Sequence, residues 1–193
     1  GLEREQWGAP IGKHQSTAIK LAQMASNTFA IEAITWLGCA MADRGGADIR
    51  LEAAMAKYFA TEAGWKIADD FVQLRGGRGF ETAESLAMRG EDPVPAERFL
   101  RDARIARIVE GTSEIMQLFI AREAMDVHVR QILPLLDPRA NKIRHFTQSF
   151  LPFYLRWYPR QWLPGGGPLE TQHLNARNRA HLVFIQKTAK RLA

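Results

Sequence analysis

The sequence has one cysteine, no long apolar run and no series of alternating apolar and polar segments, and each absence excludes a class of protein. Cys39 alone cannot form an intrachain disulfide, which excludes a disulfide-stabilised domain and fits a reducing compartment. No stretch approaches the roughly 18 consecutive apolar residues of a membrane span. Without alternating segments a β-sheet protein is not expected. The sequence therefore predicts an all-α fold.

The few histidines do not predict a metal site. None of them shows the spacing of metal ligands, and a single cysteine adds no thiolate pair. We therefore predict no metal ligands among His14, His128, His145, His173 and His181.

The net charge of +5 is distributed unevenly along the chain. Residues 1–138 carry 16 Lys and Arg against 20 Asp and Glu, which gives −4, and residues 139–193 carry 10 against 1, which gives +9. The basic part also contains the aromatic stretch FLPFYLRWYPRQWLP at 150–164. We predict a helical domain over 1–138 and a basic, aromatic-rich helical extension over 139–193. Two interpretations stay open: the aromatic rings pack on the bundle, or the segment binds an anionic membrane surface. No nucleic-acid reader motif is present.

Apolar periodicity predicts long antiparallel helices over His14–Asp43 and about Ile49–Arg75, with apolar residues of the second forming a broad buried stripe. Residues 81–96 form a predicted polar loop, with a short helix following near 97–107. A third long helix is predicted from Thr112 to before Pro134, with Ile115, Leu118, Phe119 and residues 121–125 on its buried side, and a last one from about Leu169. The four arginines 98, 101, 104 and 107 form either a solvated face paired with Glu97 and Asp102 or a surface for phosphates or a neighbouring subunit.

Three stretches contain residues that could bind a cofactor or act in catalysis. In REQWGAPIGKHQ, residues 4–15, Arg4 could pair with a diphosphate and Trp7 could pack on a flat ring. The alternative is a helix lead-in with a surface arginine and a core tryptophan.

In QLRGGRGF, residues 73–80, the glycines would let the backbone approach a ligand, with Gln73 contacting the edge of a base. The alternative is an ordinary helix end with a glycine stop.

The third stretch, VEGTSEI at residues 109–115, carries the carboxylate of Glu110 just before a helix. The helix dipole lowers the pKa of such a group, an effect of about 0.3–1 kcal/mol. Burial raises the pKa by as much as about 3–5 pH units, each worth about 1.4 kcal/mol. In a dry site Glu110 becomes a usable base near neutral pH, and in a wet turn it stays an ordinary acid. The residues alone leave both readings open.

Together, the three stretches resemble the C-terminal helical domain of the acyl-CoA dehydrogenases. The family motifs R-x-Q-[FW]-G, Q-x-x-G-G-x-G-[FY] and E-G-[TS]-[ST]-[EQ]-I occur here in order, and ERFLRDARIARI at 97–108 matches the run before the catalytic turn. The resemblance covers about residues 1–130. The long tail is similar to that of the very-long-chain branch and its bacterial relatives, where it is associated with membrane attachment.

This resemblance implies FAD-dependent α,β-dehydrogenation of a fatty acyl-CoA, with Glu110 taking the α-proton and the β-hydrogen leaving as hydride to FAD. It further implies a homodimer or homotetramer that shares its FAD sites, an electron-transfer flavoprotein as acceptor, and a bacterial cytoplasm or a mitochondrial matrix. Implied FAD contacts are Arg4, Gln6, Trp7, Gln15, Gln73, Gly76, Gly77, Thr112 and Glu114, and the implied substrate pocket includes Val109 and Gly111.

Departures from the family pattern qualify what the resemblance implies. Val109 stands where the family often has Tyr, which opens the acyl slot and favours a long chain. The loop at 81–96 is longer than in the short- and medium-chain members. The family's N-terminal helical and middle β-domains are not in this chain, so we expect a fragment that is inactive alone. The alternative is a non-catalytic assembly or membrane-docking module. An acyl-CoA oxidase would share the chemistry up to flavin reoxidation.

Overall fold

The computed structural model of the protein describes residues 4–46, 48–162 and 174–192, and these residues are almost entirely helical. The all-α prediction is confirmed. The only β-structure in these ranges is a hairpin of two strands, each two residues long. The elements in chain order are β1 Glu5–Gln6, β2 Ala9–Pro10, a 3-10 turn Ile11–Lys13, α1 Gln15–Arg44, α2 Arg50–Arg75, α3 Gly77–Phe80, α4 Ala83–Met88, α5 Ala96–Ile105, α6 Ser113–Leu136, α7 Lys142–His145, a π-helical turn Phe146–Phe150, α8 Leu151–Trp162 and α9 Ala176–Leu192.

The first two long helices end where glycine permits a left-handed backbone. Gly45 follows α1 and Gly76 follows α2, each with φ of 62°. The observed spans lie within one or two residues of the predicted ones, because periodicity and glycine stops are local signals. Helix α2 packs against both α1 and α5. Its buried residues include Ala54, Ala63 and Ala68, whose small side chains allow close approach between the helices.

The predicted buried faces of the second and third long helices were wrong in part. Ile115, Leu118 and Met125 on α6 are exposed, and so is Met55 on α2. Buried hydrophobic residues among those described are few, and most of them are alanines. Periodicity shows that a helix has an apolar stripe, but it does not show which neighbour covers that stripe.

The segment predicted as a polar loop, 81–96, contains helix α4. Thr82 caps this helix by accepting a hydrogen bond from the backbone N–H of Ser85 at 3.2 Å. Leu86 is fully buried, which gives this polar stretch an apolar anchor. Two glutamates tie the segment down: Glu81 pairs with Arg89, and Glu91 pairs with Arg78 and Arg89. The polar composition concealed a helix that is stabilised by its cap and by contacts outside it.

Gly79 on α3 touches α2, and we predict that Gly79→Ala lowers the free energy of unfolding by about 1–3 kcal/mol, the usual cost of overpacking. A Cβ at this position would lie 2.5 Å from the carbonyl oxygen of Val72 and 2.9 Å from the Cβ of Arg75. Chemical denaturation measures the change. The matched control is Gly64→Ala within α2, where a Cβ meets nothing within 4 Å. There alanine should stabilise the helix by about 0.5–1 kcal/mol; equal effects at both positions would contradict the close approach.

Helix α6 continues through Pro134 to Leu136, so the predicted end before this proline was wrong. Proline removes one backbone donor, which usually ends or bends a helix. Here only the last turn is affected, and the N–H of Asp137 still bonds to the carbonyl of Leu133 at 3.2 Å.

The chain divides into two compact units, residues 1–124 and 125–193. The boundary predicted near 138 from charge and composition stays a prediction. In the second unit, His128 contacts α8: its Nδ1 lies 3.0 Å from the Tyr154 hydroxyl, and its ring meets the edges of Phe153 and Trp157. Helix α9 begins at Ala176, and the start predicted near Leu169 lies outside the described residues.

Candidate functional site

The segment between α5 and α6 carries Glu110 on a left-handed turn. Glu110 has φ of 54° and Gly111 has φ of 94°. Glycine adopts this region freely, whereas another residue is strained by an amount of order 1–3 kcal/mol. The backbone N–H of Ser113 closes the turn by bonding to the carbonyl of Arg107 at 3.1 Å. A strained residue at this point indicates that surrounding contacts hold the turn in place.

Helix α2 supplies those contacts. The carboxylate of Glu62 accepts hydrogen bonds from Arg107 Nε at 2.7 Å and from Ser113 Oγ at 2.5 Å. The guanidinium of Arg107 also lies over the Trp65 ring, 4.9 Å from its centroid. The ammonium group of Lys57 donates to the Gly111 carbonyl at 2.5 Å. Both ends and the middle of the turn are therefore bonded to one helix.

Glu62 is ionised in this arrangement. Burial raises the pKa of its carboxyl, but the hydrogen bonds from Ser113 and Arg107 together lower it more, so the pKa lies below its ordinary value of 4.5. As an anion Glu62 can accept both donors at neutral pH.

Thr112 caps the start of α6. Thr112 Oγ1 accepts from the backbone N–H of Ile115 at 3.3 Å. Glu114 follows in the first turn, and hydrogen bonds from its own backbone N–H and from Thr112 lower the pKa of its carboxyl. Ser113 is buried, with 6% of its surface exposed, because its hydroxyl is directed to Glu62.

The Glu110 side chain itself is exposed, and so is that of Val109. Among the described residues, the Glu110 carboxylate makes no hydrogen bond or ion pair. Contacts with α2 hold the turn, while the Glu110 side chain is exposed. Such a group can meet a bound molecule without first breaking an internal contact.

The N-terminal hairpin presents Trp7 in a similar way. Trp7 and Gly8 are the two central residues of the β1–β2 turn, and both have positive φ, 50° and 76°. Turns of this kind favour Asn-Gly, so tryptophan here is strained. Its ring is 86% exposed and meets the edge of His14, whose Nε2 lies 2.9 Å from the Gln6 carbonyl oxygen. The alternative of a core tryptophan is therefore wrong.

The remaining predicted contacts lie at helix ends. Gln15 opens α1, and Gln73 lies in the last turn of α2; both are exposed. Gly76 and Gly77 have open space where a Cβ would stand. Among the described residues, no hydrogen bond or ion pair joins the hairpin, the glycine segment and the Glu110 turn. The structure places all the predicted residues on the first unit without connecting the three stretches directly.

The four arginines 98, 101, 104 and 107, on α5 and just after it, have different surroundings. Arg98 and Asp102 form an exposed pair at 3.9 Å, as the solvated interpretation predicts. Arg107 departs from it, because its guanidinium pairs with Glu62 on α2. Arg101 and Arg104 line a largely apolar cavity of about 490 Å³ with residues of α2 and α3.

Sequence reasoning missed Lys57, Glu62 and Asp70. Asp70 is only 2% exposed and accepts from Lys20 and Lys66 at 2.7 Å each, which links α1 to α2. A signal existed: charged residues inside an apolar stripe need partners, and Lys66 and Asp70 have the i,i+4 spacing of a helical ion pair. The partners of Lys57 and Glu62 could not be predicted from the sequence, because those contacts join distant parts of the chain.

Metal ligation and membrane crossing find no support in the part of the chain that the structure describes. That part contains no group of three or more His, Cys, Asp and Glu side chains arranged to hold a metal ion. None of its helices combines the length and the apolar content that crossing a membrane requires.

Comparison with known proteins shows which family the chain belongs to. The family model described as "Acyl-CoA dehydrogenase, C-terminal domain" matches residues 2–125. The probable acyl-CoA dehydrogenase FadE10 of Mycobacterium tuberculosis is 43% identical over 195 residues, which cover 100% of this chain and 30% of the relative. The mitochondrial very long-chain specific acyl-CoA dehydrogenase of Homo sapiens is 37% identical over 118 residues, 61% of this chain and 16% of that protein. The chain thus spans about a third or less of these relatives' length.

A solved structure is also similar to this chain. It is described as "Electron transferring flavoprotein of Acidaminococcus fermentans: Towards a mechanism of flavin-based electron bifurcation". The TM-score is 0.54 at 32% identity, and the match covers 63% of this chain and 29% of that one. With the family model matching more than half of its residues, the chain belongs to the acyl-CoA dehydrogenase family, and it contains the family's C-terminal domain.

Proposed function

We propose that this chain is the C-terminal part of an FAD-dependent acyl-CoA dehydrogenase, and that Glu110 is its catalytic base. The observation that carries the proposal is the Glu110 turn: a free carboxylate on a strained backbone that α2 holds in place. A base for carbon acids needs a fixed position and an unengaged carboxylate, and the turn supplies both.

The reaction assigned to Glu110 is the removal of a proton from the carbon α to the thioester carbonyl. The C–H bond breaks, its proton passes to the Glu110 carboxylate, and its electrons form the α,β double bond as the β-hydrogen leaves with its own pair. FAD, when bound, supplies the acceptor for that hydride. Substrate binding would exclude water from the turn, which raises the basicity of a carboxylate.

The exposed residues of the first unit fit a flavin dinucleotide in kind. The Arg4 guanidinium suits a diphosphate, and the amides of Gln6, Gln15 and Gln73 suit polar edges of the cofactor. The Trp7 ring offers a flat apolar face. Gly76 and Gly77 leave room for close backbone approach, and Thr112 and Glu114 lie beside the base. We assign these residues to FAD contacts, and Val109 and Gly111 to the wall of the substrate pocket.

The substrate class and the partners follow from the relatives and from the exposed surface. Val109 and the very long-chain relative favour a long acyl chain. Exposed apolar residues on α1, such as Phe29 and Trp36, support assembly of copies into a homodimer or homotetramer. We propose an electron-transfer flavoprotein as the acceptor, because the resemblance to the acyl-CoA dehydrogenases implies one. The mycobacterial relative supports a bacterial cytoplasm over a mitochondrial matrix.

The test is a turnover assay of the full-length protein that carries this chain, on acyl-CoAs of graded length. We expect dye or electron-transfer-flavoprotein reduction, with the highest kcat/KM for long chains. Hydrogen peroxide formed in stoichiometric amount with oxygen would identify an oxidase instead. No oxidation of any acyl-CoA by the flavin-loaded protein would overturn the proposal.

A second candidate function concerns the extension, where α8 exposes Leu155 and Tyr158 within a basic segment. As a membrane-docking module, the chain should co-sediment with vesicles containing anionic lipid, and a form ending near residue 138 should not. Higher salt should weaken this binding, since the attraction is electrostatic. Equal sedimentation of both forms would remove this function and leave the packing interpretation, which the His128 contacts favour.

A further inference from the structure

We propose that Lys57 is a positioning residue for the base: its ammonium group fixes the backbone on which Glu110 is carried. The inference rests on the proposed function, because it assigns Lys57 a role in that reaction. Lys57 lies in the third turn of α2 and donates to the carbonyl oxygen of Gly111, 54 residues away in sequence and directly after the base.

The turn needs such a contact because of its conformation. Two consecutive residues, Glu110 and Gly111, adopt positive φ. The strain at Glu110 favours relaxation to an ordinary backbone, which would move the carboxylate. A hydrogen bond from a charged donor is strong enough to oppose a backbone strain of this kind. The Lys57 contact is therefore large enough to decide which conformation the turn keeps.

The other contacts between α2 and the turn are at the two ends of the turn. Glu62 binds Arg107 and Ser113, which lie on either side of the strained residues. Among the described residues, Lys57 makes the only hydrogen bond to residues 108–112 that comes from outside the flanking helices α5 and α6. With Lys57 removed, the ends stay attached while the middle is free to change. The expected result is a displaced base in a protein that still folds.

A displaced base affects kcat more than KM, because the hydrogen bond that Lys57 makes to the site, among the described residues, is to the backbone of the turn. A misplacement of about 1 Å can cost about 100-fold in rate. For Lys57→Met in the flavin-loaded full-length protein, we expect kcat to fall about 10–100-fold with KM changed by less than about threefold. Lys57→Arg, which keeps a charged donor, should recover part of the loss.

A second readout separates positioning of the base from oxidation. An acyl-CoA with sulfur in place of the β-carbon cannot be dehydrogenated, but its α-hydrogens can still exchange with deuterium from solvent. Mass spectrometry measures this exchange, which we expect to slow in Lys57→Met by the same factor as kcat. Lys66→Met is the matched control: Lys66 is on the same helix and pairs with Asp70, so its loss should lower Tm without slowing exchange.

The outcomes distinguish the two proposals. A wild-type protein that neither oxidises acyl-CoA nor exchanges the α-hydrogen overturns the proposed function, and the role of Lys57 with it. An active wild type with Lys57→Met at wild-type kcat, or slowed only as much as Lys66→Met, overturns the positioning role alone. If Lys57→Met does not fold, Lys57→Gln, a neutral donor, gives the same comparison. Folding is checked by circular dichroism and Tm.

Discussion

Glu110→Gln is expected to lower kcat for acyl-CoA oxidation by about 10²–10⁴-fold in the flavin-loaded full-length protein, the usual contribution of a general base. Glutamine keeps the size of the side chain and removes its ability to take a proton. Because Glu110 is exposed and makes no internal contact among the described residues, the change should leave Tm and flavin absorbance unaltered. Steady-state turnover and single-turnover flavin bleaching measure the effect.

The matched control is Glu84→Gln, the same substitution at an exposed carboxylate on α4. Its kcat should equal that of the wild type. Turnover retained in Glu110→Gln would assign the base elsewhere, since no positional effect can compensate for a missing proton acceptor. Turnover lost together with Tm would show instead that Glu110 supports the fold, which its exposure argues against.

Local signals made much of the fold predictable. The spans of α1 and α2 follow from apolar spacing and from the glycines that end them, and the cap at Thr112 follows from residue type and position. These features depend on residues that are only a few positions apart in the sequence. The helix α4 was missed because its stability comes from Leu86 packing and from ion pairs outside the helix.

The residues of the candidate site are a prediction from the sequence, whereas the geometry of the Glu110 turn could not be predicted from it. The E-G pair suggests a turn with glycine in the left-handed position, yet the structure places Glu110 there as well. The cause lies in α2, where Lys57 and Glu62 contact the turn across more than 40 residues of sequence. These contacts join residues that are far apart in the sequence, so neither periodicity nor a local motif predicts them. The question whether Glu110 is held as a base depends on these contacts.

Asp70 is a second residue whose role depends on long-range contacts, and we expect Asp70→Asn to lower the free energy of unfolding by about 2 kcal/mol. The carboxylate is buried and lies between the ammonium groups of Lys20 on α1 and Lys66 on α2, so a neutral amide loses both ion pairs. Both lysines reach solvent, which keeps the cost near the middle of the range for a broken buried hydrogen bond. For a protein of this size, Tm should fall by about 4–8 °C. Asp69→Asn is the control, because Asp69 has no ion pair among the described residues.

The pH dependence of this effect has a definite sign. Hydrogen bonds from Lys20 and Lys66 lower the pKa of Asp70 below 3.8, whereas the unfolded chain titrates near that value. A carboxyl with a depressed pKa in the folded state stabilises the protein fully above the unfolded pKa, and this contribution disappears as pH falls through the folded pKa. The stability difference between wild type and Asp70→Asn should therefore be constant from neutral pH to about 4.5 and shrink below 3.8. Denaturation curves at several pH values measure it. A difference that persists in strong acid would mean that asparagine fails for reasons of packing, and that the charge of Asp70 does not hold α1 to α2.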